Sequence, residues 1–203
     1  GTFDQMEDEL ASMAAIVGGS WAGARSMTAT SGPGFSLMME NIGYAAITET
    51  PCAVANVQRG APSSGQPTMA AQGDMMPVRY GSHGDYSIIA LSPSSVQEMF
   101  DLTVKAFNLA DRFRTPVFLM ADETIGHMRE KILLRENVEI IPRRELKEGE
   151  LPCEPDENGI PGFGTFGNGH NIHITGLTHN EKGYPATDSA ELHEAMVRRQ
   201  VDK

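Results

Sequence analysis

The sequence predicts an α/β fold, a parallel sheet with helices on both faces, from three observations. Apolar residues recur at helical spacing in some stretches, they form short uninterrupted runs in others, and the two patterns alternate across residues 1–125. Uninterrupted apolar runs of strand length belong to strands covered on both faces, and parallel neighbours need helical crossovers between them.

The elements follow in order. Leu10, Met13, Ala14, Val17 and Trp21 share one face of a helix from Glu7 to about Ala22, with Gly18 and Gly19 either weakening it or allowing close packing. Ser26–Thr30 is a short strand that runs directly into the turn Ser31-Gly32-Pro33-Gly34, and Phe35–Thr48 reads as the helix after it. Cys52–Val57 is a buried strand ending at Arg59, followed by a Gly-, Pro- and Ser-rich loop from Gly60 to Thr68. Ser87–Leu91 repeats the strand pattern. Ser92 is expected to cap the next helix with Pro93 in its first position, and Val96, Met99, Phe100, Thr103, Phe107 and Ala110 trace one side of it. Pro116–Ala121 is the last strand, ending at Asp122.

After His127 the pattern changes. A charged stretch, Arg129–Glu150, leads into a Pro/Gly-rich segment, Leu151–Gly169, with neither helical nor strand period. It reads as an extended arm whose Ile160, Phe163 and Phe166 need apolar surface, expected on a partner chain. Asp188–Arg199 is helical again. The expected division is a domain over residues 1–127, then a linker and extended arm with a terminal helix over 128–203. Opening at Gly1 in a helical pattern, the chain reads as a domain lacking its N-terminal part, and its last helix as leading to a second, absent domain.

Composition narrows the function classes. Sixteen basic and 27 acidic residues give a net charge of −11, which repels nucleic acid and anionic membrane surfaces. No apolar run approaches the roughly 18 residues of a membrane span. Cys52 and Cys153 are too few for a disulfide framework or a cluster site, and with no signal peptide they point to a reducing cytoplasm.

In open parallel sheets, ligands sit beyond the carboxyl ends of the strands. That rule singles out Thr30–Phe35, Gln58–Thr68 and Tyr80–Tyr86, together with Gln5–Glu9 at a helix start. The Gly32-Pro33-Gly34 turn lets a ligand approach the backbone, but it lacks the Gly-Lys-Ser/Thr ending of a phosphate-binding P-loop. On spacing alone, Glu9 is a solvated acid at a helix N-terminus and Arg59 a surface or salt-bridging arginine. His170, His173 and His179 match no compact zinc pattern, so no metal site is expected. His83 is a loop histidine with a site reading as alternative. The twelve methionines are core filling.

A specific resemblance is carried by Gln5-Met6-Glu7-Asp8-Glu9, by Thr28 to Met38 around Thr30-Ser31-Gly32-Pro33-Gly34, by Glu40-Asn41-Ile42-Gly43-Tyr44-Ala45 and by Gln58-Arg59-Gly60-Ala61-Pro62-Ser63-Ser64-Gly65-Gln66-Pro67-Thr68. It continues through Tyr80-Gly81-Ser82-His83-Gly84-Asp85 and Thr175-Gly176-Leu177-Thr178-His179-Asn180-Glu181-Lys182-Gly183. In order and spacing these segments resemble the pyrimidine-binding domain of the α subunit of 2-oxoacid:ferredoxin oxidoreductases, nearest the 2-oxoglutarate branch.

The resemblance implies a thiamine-diphosphate enzyme that decarboxylates a 2-oxoacid, reduces ferredoxin and transfers the acyl group to coenzyme A. It implies that Glu9 faces the aminopyrimidine ring and promotes loss of the thiazolium C2 proton. Arg59 falls on the arginine that faces the substrate carboxylate, a match of guanidinium fork to carboxylate. Ser31, Gly32, Gly34 and Phe35 are implied at the cofactor, and Ser63, Ser64, Thr68 and His83 at the substrate. Glu7 and Asp8 remain ordinary helix-start acids. A β subunit is implied to hold the diphosphate and Mg²⁺, with [4Fe-4S] clusters on partner chains and γ and δ subunits as further partners. The sequence departs from the family in lacking its leading strand and Pro-Ile-Thr-Pro turn. Pyruvate or a branched-chain 2-oxoacid is the alternative substrate; a non-catalytic scaffold and a nucleotide-binding protein are the alternative classes.

Overall fold

The computed structural model describes residues 1–203. Its elements are α1 (Glu9–Trp21), β1 (Met27–Thr30), α2 (Pro33–Leu37), α3 (Met39–Ile47), β2 (Cys52–Gly60), β3 (Gln66–Ala70), α4 (Met75–Tyr80), β4 (Ile89–Leu91), α5 (Val96–Phe113), β5 (Pro116–Asp122), α6 (Glu123–His127) and α7 (Ala190–Asp202). The sheet has five strands; β1, β2, β5 and β4 lie side by side in that order, all parallel, and β3 returns antiparallel on β2. The predicted α/β architecture is the observed one.

Strand alternation sorts the two cores. Cys52 and Val54 of β2 and Phe118 and Met120 of β5 face α1, α2 and α3, where Met13, Ile16, Val17, Trp21, Phe35, Met38 and Ile42 pack on them. The intervening Ala53, Ala55, Val117 and Leu119 face the other way, onto Ala106 and Ala110 of α5. Small alanines on both sides of that second contact let α5 approach the sheet closely. Burial drives the Cys52 thiol up to about 12, so this cysteine behaves as a small apolar residue.

Several boundaries differ from the sequence expectation. Asp8 caps α1, its Oδ1 accepting from the Ala11 amide at 2.7 Å. The expected Phe35–Thr48 helix is two helices meeting at Met38. The cap of α5 is Ser95 and not Ser92: Ser95 Oγ accepts from the Glu98 amide, and Glu98 reaches back to Ser94. A Ser-x-x-Glu capping pair outcompetes the Ser-Pro start. The Gly60–Thr68 segment is a hairpin and not an open loop, since β2 runs to Gly60 and returns at Gln66. Gly65, at φ 51°, closes it: any side chain there would collide with the Gly60 carbonyl.

The arm also corrects the expectation, because it packs on its own domain. Phe163 stacks on Trp21 with ring centroids 4.4 Å apart and is only 2% exposed, and Ile160 is buried. Arg143 donates to the Ser20 and Ala24 carbonyls and pairs with Asp111. Arg114 lies over both rings, 5.6 Å from Trp21 and 5.2 Å from Phe163, and donates to Gly162 O at 2.9 Å. Phe166 stays half-exposed.

A buried ionic cluster fastens the C-terminal helix. Glu49, 2% exposed, takes both guanidinium nitrogens of Arg199 at 2.7 Å and the Lys203 ammonium at 2.6 Å. Burial opposes its charge, but Lys203, Arg199 and Arg114 outweigh burial and hold the carboxyl down to about 2. For Lys203 burial wins, lowering it to about 8 despite Glu49, with repulsion from Arg114 and Arg199 adding to the drop. No helix is long and apolar enough to cross a membrane.

Candidate active site at the carboxyl ends of the strands

Beyond the carboxyl end of β1 the chain makes the Ser31–Gly34 turn, and Arg59 is the last residue but one of β2. β1 and β2 are paired in register up to Thr30 and Asn56, so the turn and Arg59 emerge side by side. The Ser31 hydroxyl ties the two strands by donating to Val57 O at 2.6 Å. Gly32 adopts φ 60°, a conformation that favours glycine, and the Arg59 side chain lies over it: a methyl there would sit 2.6 Å from Nε and 2.8 Å from Cζ.

Gly34 is the second close approach. A methyl on it would overlap both the Thr30 hydroxyl and the Glu9 carboxylate, with Cδ of Glu9 at 2.7 Å. Glu9, first residue of α1 and half-buried, is therefore folded across the start of α2 and not out into solvent. One cleft thus gathers Glu9, Thr30, Gly32, Gly34 and Arg59. Thr30 Oγ1 and Arg59 Nε are buried there without hydrogen-bond partners, while Arg59 Nη2 reaches Ser64 O only at 3.5 Å. Unpaired buried donors beside two missing side chains fit a polar, planar ligand laid against the backbone.

The floor beyond β2 and β5 is polar and fixed. Gln58, fully buried, donates to Ala121 O at 3.2 Å and accepts from the Asp74 amide at 3.1 Å; Asn56 donates to Asp74 at 2.9 Å. Asp122 ends β5, and the Ile125 amide, with Gln72 second, holds its carboxyl below the usual range.

The other candidate residues fall elsewhere. Phe35 turns into the core, 2% exposed and edge-on to Phe118 with centroids 6.1 Å apart, and its amide donates to Gly32 O. Neither group is presented to the cleft, so Phe35 supports α2 from beneath. Ser63, Ser64 and Thr68 are exposed along the β2–β3 hairpin. His83 lines a different groove, of about 910 Å³, between α3, the segment 79–86 and α7, and none of the cleft residues lines it. His173 and His179 bond backbone carbonyls through Nδ1, and no three His, Cys, Asp or Glu side chains converge as a metal site.

Sequence reasoning placed Thr30 and Gln58 in candidate loops without giving them a role, and missed Asn56 and Asp74. Thr28 and Thr30 are polar residues on the inward face of a buried strand, and Gln58 ends such a strand; polar residues at inward positions were the available clue.

A family model described as pyruvate flavodoxin/ferredoxin oxidoreductase, thiamine diP-binding, matches residues 1–199. The chain belongs to this family. Within it, 2-oxoglutarate synthase subunit KorA of Methanocaldococcus jannaschii is 61% identical over 206 residues, covering 100% of this chain and 56% of that protein. Its counterpart in Methanothermobacter thermautotrophicus is 58% identical over 206 residues, covering 100% and 55%. The solved 2-oxoglutarate:ferredoxin oxidoreductase from Magnetococcus marinus, with 2-oxoglutarate, coenzyme A and succinyl-CoA bound, superimposes with a TM-score of 0.89 at 39% identity, covering 98% of this chain and 36% of that one. The chain spans about half the length of the curated relatives it matches. Family membership makes this a thiamine-diphosphate-binding domain, and the cleft, with a carboxylate and a guanidinium drawn close to the backbone at two glycines and with unpaired polar groups, has the chemistry such a cofactor needs.

Proposed function

We propose that this chain is the α-subunit part of a 2-oxoglutarate:ferredoxin oxidoreductase, forming succinyl-CoA and reducing ferredoxin, and that its cleft receives the pyrimidine end of thiamine diphosphate. The observation that carries the reading is the placement of the Glu9 carboxylate over Gly34 and the Arg59 guanidinium over Gly32, side by side on two positions that only glycine can fill without displacing them. Curated relatives of 61% and 58% identity, both 2-oxoglutarate synthase subunits, support the choice of substrate.

Each residue has a distinct task. Glu9 holds a proton-sharing hydrogen bond to the aminopyrimidine ring, and the bound cofactor supplies the electron sink for decarboxylation. Gly32 and Gly34, having no side chains, let Arg59 and Glu9 lie close against the turn within reach of the ring, and Ser31 fixes the turn. Arg59 pairs with a carboxylate of the 2-oxoacid; its Nε, now without a partner, gives it a donor to spare. Ser63, Ser64 and Thr68 on the exposed β2–β3 hairpin add hydrogen bonds to the substrate, whereas His83, in a separate groove, is left without a direct role there. Residues 1–127 are the pyrimidine-binding domain, with 128–203 wrapped on it. The diphosphate and Mg²⁺ belong to a β subunit, and the [4Fe-4S] clusters to partner chains, with γ and δ subunits completing the assembly.

The test is ferredoxin reduction by the assembled enzyme with coenzyme A and, in turn, 2-oxoglutarate, pyruvate and a branched-chain 2-oxoacid. The expected result is the highest kcat/KM with 2-oxoglutarate, and loss of about a hundredfold or more in kcat for Glu9→Gln. Full activity of Glu9→Gln supports a scaffold instead, and a preference for pyruvate moves the chain to the alternative substrate.

A further inference from the structure

The Thr30 hydroxyl has no hydrogen-bond partner although Thr30 is only 9% exposed. One methyl added to Gly34 would overlap both this hydroxyl and the Glu9 carboxylate, so the two groups border the same methyl-sized space. A native buried hydroxyl without a partner marks an interaction completed only when something else is in place.

A second observation concerns register. The Ser12 and Thr28 hydroxyls are hydrogen-bonded to each other. Ser12 lies three residues beyond Glu9 on α1, and Thr28 two residues before Thr30 on β1. Three helical residues rise about 4.5 Å and two strand residues about 6.6 Å, so the Ser12–Thr28 pair sets Glu9 opposite Thr30 as helix and strand run in opposite senses.

We propose that Thr30 is a positioning residue for Glu9. With the thiamine ring in the cleft, Thr30 Oγ1 donates to one carboxylate oxygen of Glu9, fixing its rotamer and leaving the other oxygen to the ring. A carboxylate has acceptor capacity for both partners. The inference rests on the function proposed above and extends it by one residue that acts through Glu9.

The test uses the assembled enzyme carrying Thr30→Val, which keeps the shape and removes the hydroxyl, and Thr30→Ser, which restores it. Thr30→Ala serves alongside valine as a second hydroxyl-free variant. Two quantities are measured: the dissociation constant for thiamine diphosphate, and the rate at which the C2 proton of the bound cofactor exchanges with deuterium, read by NMR after quenching. Thr30→Val is expected to slow exchange by about tenfold or more, the worth of one hydrogen bond to a charged group, while leaving cofactor affinity within about threefold. Thr30→Ser recovers most of the rate, and in a Glu9→Gln background Thr30→Val produces no further slowing. Unchanged exchange in both hydroxyl-free variants, or slowing that adds fully to that of Glu9→Gln, overturns the role of Thr30. Wild-type exchange in Glu9→Gln alone overturns the functional reading and this inference with it, so the two failures are distinguishable.

Discussion

Replacing Gly34 with alanine separates folding from function in this cleft. Gly34 lies in the first turn of α2, and its φ is not in the left-handed region, so alanine fits the backbone there and gains up to about 1 kcal/mol of helix propensity. The added methyl, however, would overlap the Thr30 hydroxyl, which must change rotamer, and would stand 2.7 Å from Cδ of Glu9, where ordinary contact begins at 3.4 Å. The carboxylate must retreat by about 1 Å, since the alternative is to displace the paired strand beneath. Misplacement on that scale costs about a hundredfold in rate when the group must meet its target at hydrogen-bond distance. The assay pairs a denaturation midpoint with kcat in the assembled enzyme. The expected outcome is a midpoint close to that of the parent protein, the helix gain offsetting the Thr30 overlap, with kcat reduced about a hundredfold. Wild-type kcat in a well-folded Gly34→Ala protein would refute the claim that Glu9 works from its position over Gly34.

Three further outcomes follow from the same structure. Glu49→Gln leaves Arg199, Lys203 and Arg114 facing no buried anion, and denaturation followed through Trp21 fluorescence should show a loss of about 3–5 kcal/mol near neutral pH. Because folding lowers the Glu49 carboxyl from 4.5 to about 2, its stabilisation is complete above pH 4.5 and is lost as pH falls through about 2, so the gap between parent and variant should narrow over that window; a constant gap contradicts the pairing. Phe163→Ala removes the ring stacked on Trp21 and should cost about 3–5 kcal/mol and shift the Trp21 emission, whereas an arm held elsewhere would leave both unchanged. Arg59→Lys keeps the charge but loses the planar fork, so KM for the 2-oxoacid should rise about tenfold or more with little change in cofactor affinity, and an unchanged KM removes Arg59 from the substrate.

Much of this fold is legible in the sequence because its determinants are local. Cys52–Val57 and Pro116–Ala121 announce buried strands by uninterrupted apolar character, and Gly32-Pro33-Gly34 marks the strand-to-helix turn. The rule that parallel strands present ligands at their carboxyl ends brings together the segments holding Glu9, Gly32, Gly34 and Arg59, but on spacing alone Glu9 and Arg59 read as solvated residues, and the family resemblance is what singles them out. What escapes sequence reading depends on direction or distance. Whether Phe35 turns toward the cleft or the core is decided by how a five-residue helix is rotated, which no periodicity records over so short a span. The return of β3 is hidden because all five of its residues are exposed and show no alternation. Glu49 and Arg199 are separated by 150 positions, and Trp21 and Phe163 by a similar stretch, so neither pairing leaves a local pattern. The arm therefore reads as surface seeking a partner when it is in fact a layer of its own domain.

The central claim is most directly tested by a crystal structure of the assembled enzyme with thiamine diphosphate bound, in which the distance from the Glu9 carboxylate to N1′ of the aminopyrimidine ring is measured. A separation of about 2.6–3.2 Å is the predicted result. A ring seated against another acidic residue, with Glu9 turned away from it, would contradict the account.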